Sequence, residues 1–101
     1  MIFGRQASRV LVYESPVDMR KSFDGLQAVA SLVTQEDVLS GSLYLFMNRS
    51  KTILKVLFWD RTGWCVIAKR LERGRFEVSK SFLNYRELEL LFDGICRRKQ
   101  R

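Results

Sequence analysis

Apolar positions recur along the chain with two different periods, and the changes of period mark its elements. Residues 9–14, Arg-Val-Leu-Val-Tyr-Glu, are rich in β-forming types and stop at Ser15-Pro16, which predicts a first strand. Met19, Phe23, Leu26, Ala30 and Val33 then recur every three or four positions, as one stripe of a helix does. Asp24, Gln27 and Ser31 fall on its other side. Asp18 stands where a carboxylate can cap the helix by accepting the free amides of the first turn. Gly25 sits inside this pattern, where glycine costs ~1 kcal/mol relative to alanine. Either another backbone packs closely against it or the regular helix begins just after it.

Gly41 closes a polar connector, and the period shortens to that of strands. Residues 42–47, 52–59 and 64–71 are β-rich, separated by the turn-like Asn48-Arg-Ser-Lys51 and Asp60-Arg-Thr-Gly63. Connections this short join antiparallel neighbours. Arg73-Gly74 predicts a third turn before a further short strand, Arg75-Phe-Glu-Val78. The last element has a marked start, since Asn84 and Glu87 have capping-box spacing. Tyr85, Leu88, Phe92 and Ile95 form its apolar stripe, and Gly94 lies near its end. The order strand, helix, three or four strands, helix predicts an α+β fold. It is a single small domain over residues 1–101, with its core in about 9–96 and a tail at 97–101. The expected sheet is twisted and antiparallel, with about four to five strands. Both helices are expected on one of its faces.

Within the strands, alternation puts Ile53, Lys55, Leu57 and Trp59 on one side and Leu54, Val56 and Phe58 on the other. Trp64, Val66, Ala68 and Arg70 likewise oppose Cys65, Ile67, Lys69 and Leu71. The Leu54, Val56, Phe58 set reads as core. The side with Lys55 and Trp59 has two readings. Cations and rings there could meet the phosphates and bases of a nucleic acid. They could also simply pack, with lysine stems reaching out to water.

Composition narrows the chemistry. The chain has no histidine and two cysteines, Cys65 and Cys96. A histidine general base, a Ser-His-Asp triad and a Cys-His dyad have no residues to build them, and a structural zinc site lacks ligands. Asp18, Asp24 and Asp60 have the residue type that metal-dependent phosphoryl transfer needs. A cap, a polar helix side and a turn explain them more simply. We expect neither an enzyme nor a cofactor, and two reduced cysteines rather than a disulfide. No apolar run approaches the ~18 residues of a membrane span, and Met1–Ser8 has no signal-like run. The expectation is a cytoplasmic chain.

The net charge is +7 and lies entirely in one half. In residues 1–50, Arg5, Arg9, Arg20, Lys21 and Arg49 are matched by Glu14, Asp18, Asp24, Glu36 and Asp37. The excess falls in 51–101, densest in Lys69-Arg-Leu-Glu-Arg-Gly-Arg75 and in the tail Arg97-Arg98-Lys99-Gln100-Arg101. One-sided positive charge favours a polyanionic partner. A cationic tail after a helix also complements the helix dipole.

Three ordered segments carry a family resemblance. Val17-Asp-Met-Arg-Lys-Ser-Phe-Asp-Gly-Leu26, Lys55-Val-Leu-Phe-Trp-Asp60 with Gly63 and Cys65, and Lys69-Arg-Leu-Glu-Arg-Gly-Arg-Phe76 resemble the motifs of the TnpB-type accessory proteins of insertion sequence 66 family transposons. Leu88–Ile95 is similar to that family's closing helix. Ser22 stands where the family has glycine, and the 47–53 turn is less basic than in many relatives. The resemblance implies a non-catalytic helper of a separate, larger transposase, which carries the catalytic carboxylates. Two modes of help follow. In the first, the chain binds DNA near transposon ends through Arg49, Lys51, Lys55, Lys69, Arg70, Arg73, Arg75, Arg97, Arg98 and Lys99. In the second, it docks on the transposase or another accessory protein through Asp18, Met19, Arg20 and Lys21.

Overall fold

The computed structural model of the chain describes residues 9–33 and 41–93. Five strands and two helices follow in the order β1 (Val10–Val12), α1 (Phe23–Val33), β2 (Leu43–Met47), β3 (Ile53–Trp59), β4 (Trp64–Arg70), β5 (Phe82–Leu83) and α2 (Tyr85–Phe92). The strands form one sheet in the order β4-β3-β2-β1-β5. The α+β expectation stands, with five strands and two helices.

The sheet is mixed rather than wholly antiparallel. β1 and β2 run parallel, with Val10 beside Leu43 and Val12 beside Leu45. The reason is the connection, since a helix between two neighbouring strands carries the chain back to the end where it started. The β2–β3 and β3–β4 pairs are antiparallel hairpins, as their short turns predict.

The two helices lie on opposite faces, which corrects the expectation that they share one. Leu88 and Phe92 of α2 pack with Val10, Leu43, Leu45, Met47, Leu54 and Val56. Leu26 and Ala30 of α1 pack with Tyr44, Phe46 and Leu57. β2 explains this arrangement. All five of its residues are buried, so both of its faces must be covered. Two helices on one face would leave Tyr44, Phe46 and Leu57 in water, at about 1.5–3 kcal/mol for each large side chain.

The segment 75–78 is not a strand. Phe76 is buried in the α2-side core, where Val78 also packs. From β4 the chain must reach β5 at the other edge, four strand spacings or roughly 19 Å away. It crosses the α2 face to do so. Its alternating apolar residues serve that crossing rather than a ladder.

α1 begins at Phe23, and Leu26 N–H donates to Ser22 O at 2.8 Å. Asp18 is therefore not the cap. Phe23, expected in the apolar stripe, is about half exposed, while Leu26 and Ala30 are fully buried. Gly25 lies in the first turn, where a Cβ would come within 3.0 Å of Cβ and Cγ of Lys21. Neither expectation for the glycine holds as stated: the helix starts before it, and the group packed against it is the Lys21 side chain rather than another backbone. α2 has the capping box read from the sequence. Glu87 N–H donates to Asn84 Oδ1 at 2.8 Å, and Asn84 N–H donates to Glu87 Oε1 at 2.9 Å.

Candidate nucleic-acid interface

Asn48 organises the first turn. Its Oδ1 accepts from the amides of Thr52 at 2.9 Å and Ile53 at 3.0 Å. Lys51 N–H donates to Asn48 O at 3.1 Å, and Lys51 takes the left-handed conformation with φ 60°. Arg49 and Lys51 are held out to solvent on this turn.

The 71–75 turn lies against it. Leu71 N–H donates to Thr52 O, and Phe76 N–H donates to Lys51 O, each at 2.8 Å. These two bonds bracket Glu72, Arg73, Gly74 and Arg75. Gly74, with φ 74°, makes the reversal that other residues rarely adopt. Buried Phe76 anchors the outgoing end. Arg70 faces Ile53 across the β3–β4 ladder. Two turns far apart in sequence, only the first of them a hairpin turn, thus put Arg49, Lys51, Arg70, Arg73 and Arg75 at one end of the sheet.

The Asp18–Lys21 loop reaches the same end. Val17 N–H donates to Met47 O at 2.9 Å, at the last residue of β2. Lys55 then clasps the loop, with Nζ donating to Met19 O at 2.8 Å and Lys21 O at 2.9 Å. Within the loop, Asp18 Oδ1 accepts the Arg20 amide at 2.9 Å, and the Arg20 guanidinium meets the same carboxylate at 2.6–3.1 Å. The side-chain hydrogen bond from Arg20, helped by the Arg20 amide, holds the Asp18 carboxyl well below the usual carboxylate range. Arg20 is correspondingly raised by Asp18. Both groups lie on the surface, so the pair shapes the loop more than it stabilises the fold. The N-terminus of α1 follows directly, and its first-turn amides add to the positive potential there.

The sequence-derived binding residues thus fall into three groups. Arg49, Lys51, Arg70, Arg73 and Arg75 are exposed and gathered, with the Arg70–Glu72 pair, 3.4 Å apart, at the rim. Lys55 and Lys69 are half-buried and turned inward. Lys69 Nζ donates to Phe92 O at 2.8 Å, satisfying a carbonyl at the C-terminus of α2. Arg97, Arg98 and Lys99 lie outside the described residues, as do Cys96, Gly94 and Ile95. Asp18, Met19, Arg20 and Lys21, assigned from sequence to a separate docking surface, adjoin the basic group. Sequence reasoning missed this adjacency and the role of Lys55. A single cation among the apolar residues of β3 was the available signal.

The other end of the sheet differs. Trp59 and Trp64 face each other with ring centroids 5.4 Å apart, edge to face. Arg61 lies beside Asp60 on the exposed turn. Asp18 and Asp60 therefore sit at opposite ends of β3, roughly 20 Å apart. Among the described residues, no group of three or more acidic or cysteine side chains could share a metal ion. Cys65 is a free, half-buried thiol. No described helix is long and apolar enough to cross a membrane.

Two proteins of Sinorhizobium fredii are similar to this chain. The protein y4hO, itself uncharacterized, is 38% identical over 76 residues, covering 75% of this chain and 66% of the relative. A second uncharacterized protein of that organism, y4jC, is 30% identical over 76 residues, covering 75% and 65% respectively. The chain thus spans just under two thirds of the length of these relatives. No solved structure matches it. The profile of the IS66 Orf2 like proteins matches residues 8–101, which takes in all three segments of the sequence resemblance. The chain belongs to the family of IS66 Orf2 like proteins.

Proposed function

We propose that the chain is a non-catalytic accessory factor of insertion sequence 66 transposition and assists a separate transposase by holding DNA phosphates on its basic end. The observation that carries this reading is the pairing of two turns by the bonds Leu71–Thr52 and Phe76–Lys51. Main-chain bonds of this kind fix the spacing of Arg49, Lys51, Arg73 and Arg75 before any ligand arrives, which lowers the ordering cost of binding. Phosphate contacts position a duplex and add affinity without reading its sequence. Fluorescence anisotropy of a labelled terminal-repeat duplex and a scrambled duplex, at several salt concentrations, tests the proposal. Binding that weakens steeply with salt is expected for both duplexes. No binding at low salt would overturn it.

A second reading rests on the Asp18–Lys21 loop. Its clasp by Lys55 and its internal Asp18–Arg20 pair give it a fixed shape with little net charge. Such a loop suits docking on a protein partner, the transposase first of all. Co-purification with the transposase should fall on Arg20→Glu, and equal recovery would remove this surface from consideration.

A further inference from the structure

The long edge of the sheet is self-complementary. β4 is an edge strand of seven residues, whereas β5 at the other edge has two. Sheet edges present rows of backbone donors and acceptors that invite another strand, and proteins usually keep such edges short or interrupted. β4 has no proline, and Trp64, Cys65, Val66 and Ile67 are all half-buried.

The ladder fixes which backbone groups face outward. Leu71 N–H donates to Thr52 O and Asp60 N–H donates to Gly63 O, so odd-numbered residues of this strand turn their polar groups to β3. Trp64, Val66, Ala68 and Arg70 therefore turn theirs to the outer edge, where among the described residues no strand meets them. A second β4 running antiparallel must match even positions with even positions. The register that uses the whole strand centres on Ile67, with Trp64 opposite Arg70, Cys65 opposite Lys69, and Val66 opposite Ala68. No like charges face each other. Each Arg70 guanidinium meets an indole, a favourable cation–π partner. A pairing centred on Ala68 would instead match fewer residues of the strand.

We propose that two copies of this chain associate through β4 edges, in this register, to form one continuous ten-stranded sheet. The inference goes beyond the DNA reading and shares only Arg70 with the basic end; its assay contains no DNA, so either reading can fail without the other. The partner is a second copy rather than a foreign strand, because the seven residues complement their own reverse.

Sedimentation of the chain over a wide concentration range should show a dimer forming as concentration rises. Ala68→Pro removes an outward amide and leaves the bonds to β3 in place, as proline is tolerated on edge strands. It should shift the dimer dissociation constant at least tenfold upward without loss of fold by circular dichroism. A second test fixes the register. With Cys65→Ser and Cys96→Ser, Ile67→Cys should form an intermolecular disulfide under mild oxidation, since facing non-hydrogen-bonded Cα atoms lie about 4.5 Å apart. Ala68→Cys in the same background should not. A chain that stays monomeric throughout, or a dimer insensitive to Ala68→Pro with no link at Ile67→Cys, would overturn the proposal.

Discussion

At one end of the β3–β4 ladder, Arg70 faces Ile53, and two turns bring Arg49, Lys51, Arg73 and Arg75 to the same surface. At the other end, Trp59 faces Trp64 and the turn sets Arg61 beside Asp60. The same strands connect the two ends, and the same two core clusters run between them. The difference lies in what each end is fastened by. The basic end is held by bonds between segments distant in sequence, from Lys55 to the 19–21 carbonyls and between the paired turns. The tryptophan end is held by a local feature, its tight hairpin, where Asp60 N–H donates to Gly63 O. Like charges can be crowded together only where something else supplies the cohesion, and here main-chain bonds supply it.

Breaking the clasp should have the largest effect on stability. Lys55→Met keeps the apolar stem and leaves the carbonyls of Met19 and Lys21 without their donor. We expect a loss of about 1–3 kcal/mol in chemical denaturation, with faster amide exchange in residues 18–22. An unchanged midpoint would mean that the loop is held by packing alone. At the other end, Asn84→Ala should cost about 0.5–2 kcal/mol by removing the acceptor for the Glu87 amide. DNA affinity of the folded protein should not change, and a parallel fall in affinity would show that the ends are coupled.

The smallest effect is electrostatic. A carboxyl lowered in the folded state adds stability above its unfolded pKa, about 3.9 for aspartate. That stability is lost as pH falls through the lower folded value. Asp18 should therefore remain ionised at pH values where other exposed carboxylates have taken up protons, as read by its carboxyl carbon shift. Arg20→Gln should return its midpoint toward the ordinary range. A normal midpoint in the unsubstituted chain would show that the pair does not form in solution.

The sequence made β1 to β4, both helices and the α2 cap legible, because periodicity and capping are local properties, but it gave no sign of the two-residue β5. It did not make the faces legible. The run Leu43–Met47 is apolar at every position and carries no alternation from which to assign a side, so nothing in it separates α1 from α2. Residues 75–78 alternate like a strand yet cross the sheet, since the demand on them comes from where β5 lies. At the site, the charge of the turns was visible but their pairing was not. Lys55 and Lys69 show what residue type leaves out. Both are cations near the basic surface, and both bind main-chain carbonyls within the fold.

In the proposed function one end of the sheet, and not the overall charge, meets DNA. The direct test is the salt dependence of duplex binding for three proteins: the unsubstituted chain, the joint variant Arg49→Gln, Lys51→Gln, Arg73→Gln and Arg75→Gln, and Arg61→Gln at the opposite end. The account predicts that the joint variant flattens the slope of log K against log salt by as much as about 3.6, at about 0.9 for each phosphate no longer neutralised. Arg61→Gln should leave the slope unchanged. Equal slopes for the joint variant and the unsubstituted chain, or a flattening at Arg61→Gln matching that of a single residue of the basic end, would contradict it.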